Sequence, residues 1–102
     1  MNQEILKYVG DYNIGKGWAN DEREVIDTIR NAPVLWKGEE DRHRWWNCYF
    51  KVVLIDQLWI GFVDAEANRD ESPDDLGFEF DPDSICWAEP VEVRVTEYRR
   101  KV

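Results

Sequence analysis

The chain has 102 residues, 43% of them apolar, 34% charged and 14% aromatic, and its 22 acids against 13 Lys and Arg give a net charge of −9. That composition excludes a membrane span or a disordered tail, and the length predicts a single domain over residues 1–102. No run of about 18 apolar residues occurs. The opening MNQEILKYVG lacks the basic start and apolar stretch of a secretory signal. Two cysteines without such a signal predict reduced thiols and a cytoplasmic location rather than a disulfide framework.

In chain order, Asn2 caps a short helix predicted over residues 3–9, with Ile5, Leu6 and Val9 on one face and Gly10 as its stop. Residues 10–20 are glycine-rich and aperiodic and are expected to form a loop. A second helix follows. Asp21 and Glu24 stand at capping-box spacing, Val25, Ile26 and Ile29 form an apolar stripe, and Pro33 ends the element. Val34–Lys37 reads as a short strand and Gly38–Arg42 as a polar turn.

Residues 44–55, RWWNCYFKVVLI, are too β-branched and aromatic for a helix. Asp56–Gln57 then allows a tight turn into a second strand, Leu58–Ala65. With Ile55 facing Leu58, alternation separates two faces. One carries Trp46, Cys48, Phe50, Val52, Leu54, Trp59, Gly61, Val63 and Ala65. It is uniformly apolar and is expected to be the core face. The other carries Trp45, Asn47, Tyr49, Lys51, Val53, Ile55, Leu58, Ile60, Phe62 and Asp64, mostly apolar with polar ends. A hairpin apolar on both faces needs cover on both. Two short helices cover one, which leaves three candidates for covering the second: another chain in a homodimer, curling of the sheet into a small barrel, or the acidic segment folding back through Phe78 and Phe80.

Charge is concentrated downstream. Residues 64–83 hold nine acids (Asp64, Glu66, Asp70, Glu71, Asp74, Asp75, Glu79, Asp81 and Asp83) and a single base, Arg69. Within this segment, Ser72 to Gly77 reads as one helical turn with Ser as cap and Pro at its first position. Phe78 and Phe80 flank Glu79 in an extended piece, and Asp81-Pro82-Asp83-Ser84 is a turn. Ile85–Ala88 and Val91–Tyr98 read as strands, interrupted by Pro90.

Several motifs resemble sites and lack a defining residue. Gly10 to Lys16 fits a phosphate-binding loop, but Gly17 stands where a magnesium-binding hydroxyl is required. The antiparallel hairpin also argues against the parallel sheet that such a loop needs. Asp64, Glu66, Asn68, Asp70 and Asp75 have calcium-loop spacing, but Arg69 occupies the glycine position. His43, Cys48 and Cys86 make a poor zinc set, and His43 and Cys48 point to opposite faces of a regular strand. No metal, cofactor or catalytic residue is therefore expected.

The expected fold is α+β, a curled antiparallel sheet of four to five strands with one or two N-terminal helices on one face. The expected function is that of a small acidic protein-binding module. It docks on a basic surface of a partner protein, in the manner of an inhibitor, an immunity protein or a nucleic-acid mimic, through the nine acids of 64–83. Two alternatives stand beside it. One is nucleic-acid or small-ligand binding through exposed Trp and Tyr near Arg42, Arg44 and Lys51, which the net charge disfavours. The other is a small enzyme without a recognisable motif.

Overall fold

The computed structural model describes residues 1–68, 71–93 and 96–101. In chain order it contains α1 (Gln3–Gly15), α2 (Glu22–Asn31), β1 (Val34–Arg42), β2 (Trp46–Ile55), β3 (Leu58–Ala67) and β4 (Cys86–Ala88). The short 3₁₀ turns Pro73–Leu76 and Pro82–Ser84 lie between β3 and β4. The sheet is antiparallel with strand order β1-β2-β3-β4, so it is open at both edges. Two N-terminal helices pack on one face of it. The fold is α+β.

The hairpin forms in the expected register. Ile55 pairs with Leu58, Val53 with Ile60 and Lys51 with Phe62. Asp56 turns the chain in the left-handed region at φ 57. The turn is held from outside: the Tyr8 hydroxyl donates to the Ile55 carbonyl at 2.9 Å and accepts from the Gln57 N–H at 3.3 Å. One helical tyrosine thereby ties α1 to a turn whose own residues favour it weakly.

The first helix runs past its predicted stop. Gly10 lies buried in mid-helix, where a side chain would meet Asn20 and Val25; it marks close packing against α2 and not an end. The helix closes at Lys16, whose N–H donates to the carbonyls of Tyr12 and Asn13. The expected loop over 10–20 therefore shrinks to residues 16–21. Buried Asn13 braces that loop: its amide donates to the Ala19 carbonyl at 3.0 Å, and its side-chain oxygen accepts from Thr28 at 2.9 Å. The second helix begins after Asp21, although the Asp21 side chain makes no capping hydrogen bond.

The face expected to be the core is the open one. Val53, Ile55, Ile60 and Phe62 are buried against Ile5, Val9, Val25 and Ile29 of the helices, with Ile85 closing the cluster. The face of Phe50, Val52, Leu54, Trp59 and Val63 has no layer over it among the described residues, and Leu54, Trp59 and Val63 are exposed. The physical reason lies in ion pairs distant in sequence. Lys51 and Asp64, which read as solvent-facing, are only 9% and 6% exposed, because Glu66 and Arg30 pair with them. A buried charge is tolerated when paired, so the face with polar ends was free to take the helices.

Two further expectations are corrected. Val34–Lys37 and the turn Gly38–Arg42 are one strand, β1, with irregularities between Val34 and Trp36 and between Gly38 and Asp41. Residues 91–93 and 96–98 of the expected last strand form no ladder, and Arg94 and Val95 lie outside the described residues. An isolated segment cannot satisfy its backbone as a strand without a partner edge, whatever its alternation.

Candidate functional site

The acidic segment runs back along the outer edge of β3 and is braced rather than loose. Arg30, at the end of α2, is its anchor. Its Nε and Nη2 donate to the two carboxylate oxygens of Asp64, both at 2.9 Å. Such a two-pronged pair is the strongest ordinary ion-pair geometry. The same Nη2 reaches both oxygens of Asp74 at 3.4 Å, and the guanidinium carbon sits 4.5 Å from the Phe80 ring centre. The hydrogen bond to Asp64 raises the Arg30 pKa further above its ordinary value. Phe80 packs edge-on against Phe62 of the core, and Phe78 against Trp46. The turn Pro73–Leu76 forms as the Ser-Pro start and Gly stop predict, and in the next turn the Asp81 carboxylate accepts from the Asp83 N–H at 2.9 Å.

This bracing divides the nine acids. Asp64 and Asp74 are held by Arg30. Glu66 sits between Lys37, at 3.0 Å, and Lys51, at 3.2 Å. Burial pushes the Glu66 carboxyl up, but the hydrogen bonds from the two lysines outweigh it and hold the pKa below the ordinary value. Asp83 accepts from the Met1 amino group at 2.8 Å, and that bond lowers its pKa. Glu71, Asp75, Glu79 and Asp81 are exposed and make no ion pair among the described residues, although Asp81 acts on the Met1 amino group through space. Asp70 lies outside them. The nine-residue set thus separates into acids that build the fold and four carboxylates that face solvent.

The motif-like spacings dissolve in three dimensions. Most of the phosphate-loop match is helix α1, with Lys16 as its cap. Asp64 and Glu66, the first calcium-loop positions, lie within β3 and point to Arg30 and the lysines. Among the described residues no three His, Cys, Asp or Glu side chains gather as a metal site. His43 stacks flat on Trp46, ring centres 4.1 Å apart. Burial raises the pKa of both Cys48 and Cys86, the opposite of what a reactive thiolate needs.

The basic and aromatic residues pair off locally. Lys51 is spent on Glu66 on the helix-covered face, and Tyr49 lies under the Lys37 ammonium at 4.3 Å. Arg42 pairs with Glu40 at 3.4 Å, and Arg44 stacks over Trp45 at 4.7 Å.

The open sheet face carries what sequence reasoning missed. Trp36 of β1 lies across Gly38, and Phe50 of β2 lies across Gly61 of β3; a Cβ on either glycine would collide with the ring above it. The two rings pack edge-on, centres 6.3 Å apart. With Leu35, Val52 and Trp59 they line an open trough of about 520 Å³, walled on one side by the chain leaving β4. Among the described residues Glu89 is the only charged one that lines it. The available signal was the pair of glycines set two residues after, or diagonally across from, a large aromatic, the arrangement by which a ring fills the gap a glycine leaves in a strand.

Compared with protein-family models, with curated proteins and with solved structures, the chain gives no match.

Proposed function

We propose that this chain is a protein-binding module whose acidic segment docks on a basic surface of another protein. The observation that carries the reading is the four exposed carboxylates, Glu71, Asp75, Glu79 and Asp81, on a segment fixed by Arg30, Phe78 and Phe80. A floppy acidic tail would attract cations without shape. Carboxylates held on 3₁₀ turns against the core present a fixed pattern, which lets charge set both approach and orientation. Asp64 contributes through Arg30, which also holds Asp74; Asp83 tethers the segment to the Met1 amino group, and Glu66 joins β3 to the lysines of β1 and β2.

The test is affinity capture from the native host by the tagged chain, at low and high salt. The bait is compared with a triple variant, Glu71→Gln, Asp75→Asn and Glu79→Gln, which leaves the tethers intact. The reading expects a basic partner retained at low salt, released at high salt and captured several-fold less by the variant. Capture that is indifferent to both changes overturns it.

A further inference from the structure

Among the described residues, helices cover one face of the sheet and no helix or strand covers the other, which the chain leaving β4 walls on one side. We propose that a second copy of this chain covers the open face, so that two sheets stack face to face in a dimer with the helices outside. Area is the first argument. Leu35 and Trp36 are 58% and 54% exposed, and Leu54, Trp59, Val63, Val91 and Val93 are also exposed. Scaled by side-chain size these come to roughly 500–800 Å² per copy, the lower figure leaving out Val91 and Val93, against the ~800 Å² that each partner gives to a standard stable interface. Single apolar side chains on a surface need no explanation; a contiguous patch of this size does.

Charge identifies the occupant. A partner selected by electrostatics would find little here, because Glu89 is the only charged residue lining the trough among the described residues. The unpaired acids lie instead on the segment beside the outer edge of β3. A two-fold contact needs a patch complementary to itself. A surface that is mostly apolar meets that demand, with Glu89 on the wall of the trough and Asp41 towards the far end of the β1–β2 pair. Two sheets packed this way form the interior layer of a sandwich, the usual solution for a sheet apolar on both faces. The rings of Trp36 and Phe50, already laid across Gly38 and Gly61, need no rearrangement to make the contact.

The dimer is independent of the acidic docking reading, and salt separates them. Each copy carries −9, so screening should hold or strengthen self-association, whereas it weakens capture of a basic partner. Sedimentation of the full chain over a range reaching tens of micromolar, at low and high salt, should show a species of twice the 12.2 kDa chain mass. Trp36→Glu and Leu54→Lys, each at an exposed position, should weaken the dimer by at least about tenfold, as expected for charges placed in an apolar interface centre. Their helix and sheet content should remain, and the triple acidic variant should stay dimeric. A wild-type monomer across the whole range overturns the proposal, even if the face captures some other protein. So does a dimer that survives both substitutions with the fold intact.

Discussion

The two faces of one sheet differ in what they ask of the chain. The helix-covered face buries medium-sized aliphatic residues, Val53, Ile55 and Ile60, around a single phenylalanine, and closes its ends with Lys51 and Asp64. The open face carries the larger rings, Trp36, Phe50 and Trp59, two of which lie in contact. Greater apolar content did not decide which face became the core. The helices present Ile5, Val9, Val25 and Ile29, whose ridges fit between aliphatic side chains, and Arg30 at the end of α2 neutralises the acid that this face would otherwise bury unpaired.

The comparison breaks first at its largest effect. Phe62→Ala on the covered face should cost about 3–5 kcal/mol by urea unfolding, the usual loss for a fully buried phenylalanine. Trp36→Ala on the open face, compared at a concentration low enough for the chain to be monomeric, should cost within about 1 kcal/mol, as for a surface position. Equal losses would mean that the two faces are not distinguished as described.

A smaller effect sharpens the role of the polar rim. Asp64→Asn leaves Arg30 without its two-pronged partner and should cost about 2 kcal/mol, less than the loss for a fully buried pair because Arg30 is partly exposed. Changing both residues, as Arg30→Met with Asp64→Leu, should recover a good part of that loss. If the double variant is as unstable as the two single losses combined, the pair is not coupled and Arg30 is not the anchor.

The smallest effect is in pH. The folded Glu66 pKa lies below its unfolded value. Its contribution to stability is therefore fully present above the ordinary carboxylate range and is lost as pH falls through the folded value. Acid unfolding of Glu66→Gln should show a shallower acid limb than the wild type. The change should be modest, since Glu66 and Lys37 are both partly exposed. An unchanged acid limb would show that the two lysines do not act on Glu66 as the geometry indicates.

Much of this frame was legible in sequence. The run of β-branched and aromatic residues placed the hairpin, and its turn fell at Asp56–Gln57 in the expected register. Ser72-Pro73 and Asp81-Pro82 marked both 3₁₀ turns, because cap and proline chemistry is local. Gly10 misled, since a glycine that ends a helix and one that lets two helices approach look alike until the neighbour is known. Val91 to Tyr98 misled for a related reason: alternation describes a strand's faces but supplies no edge to pair with. The candidate site was half legible. The acidic segment stood out by composition, while the open aromatic face was mistaken for the interior.

The sequence by itself determined the local choices: where helices and strands start, where the hairpin turns, and that nine acids fall on one segment. These follow from steric preference, capping and a period of two, each of which acts within a few residues. Tertiary structure alone decided which face of the sheet met the helices and which acids were left for solvent. A period of two gives the parity of a face but not its direction, and the pairs that settled direction, Arg30 with Asp64 and Lys51 with Glu66, join residues of different elements. Only folding brings such charges within 3 Å or so, where pairing offsets the cost of burying them.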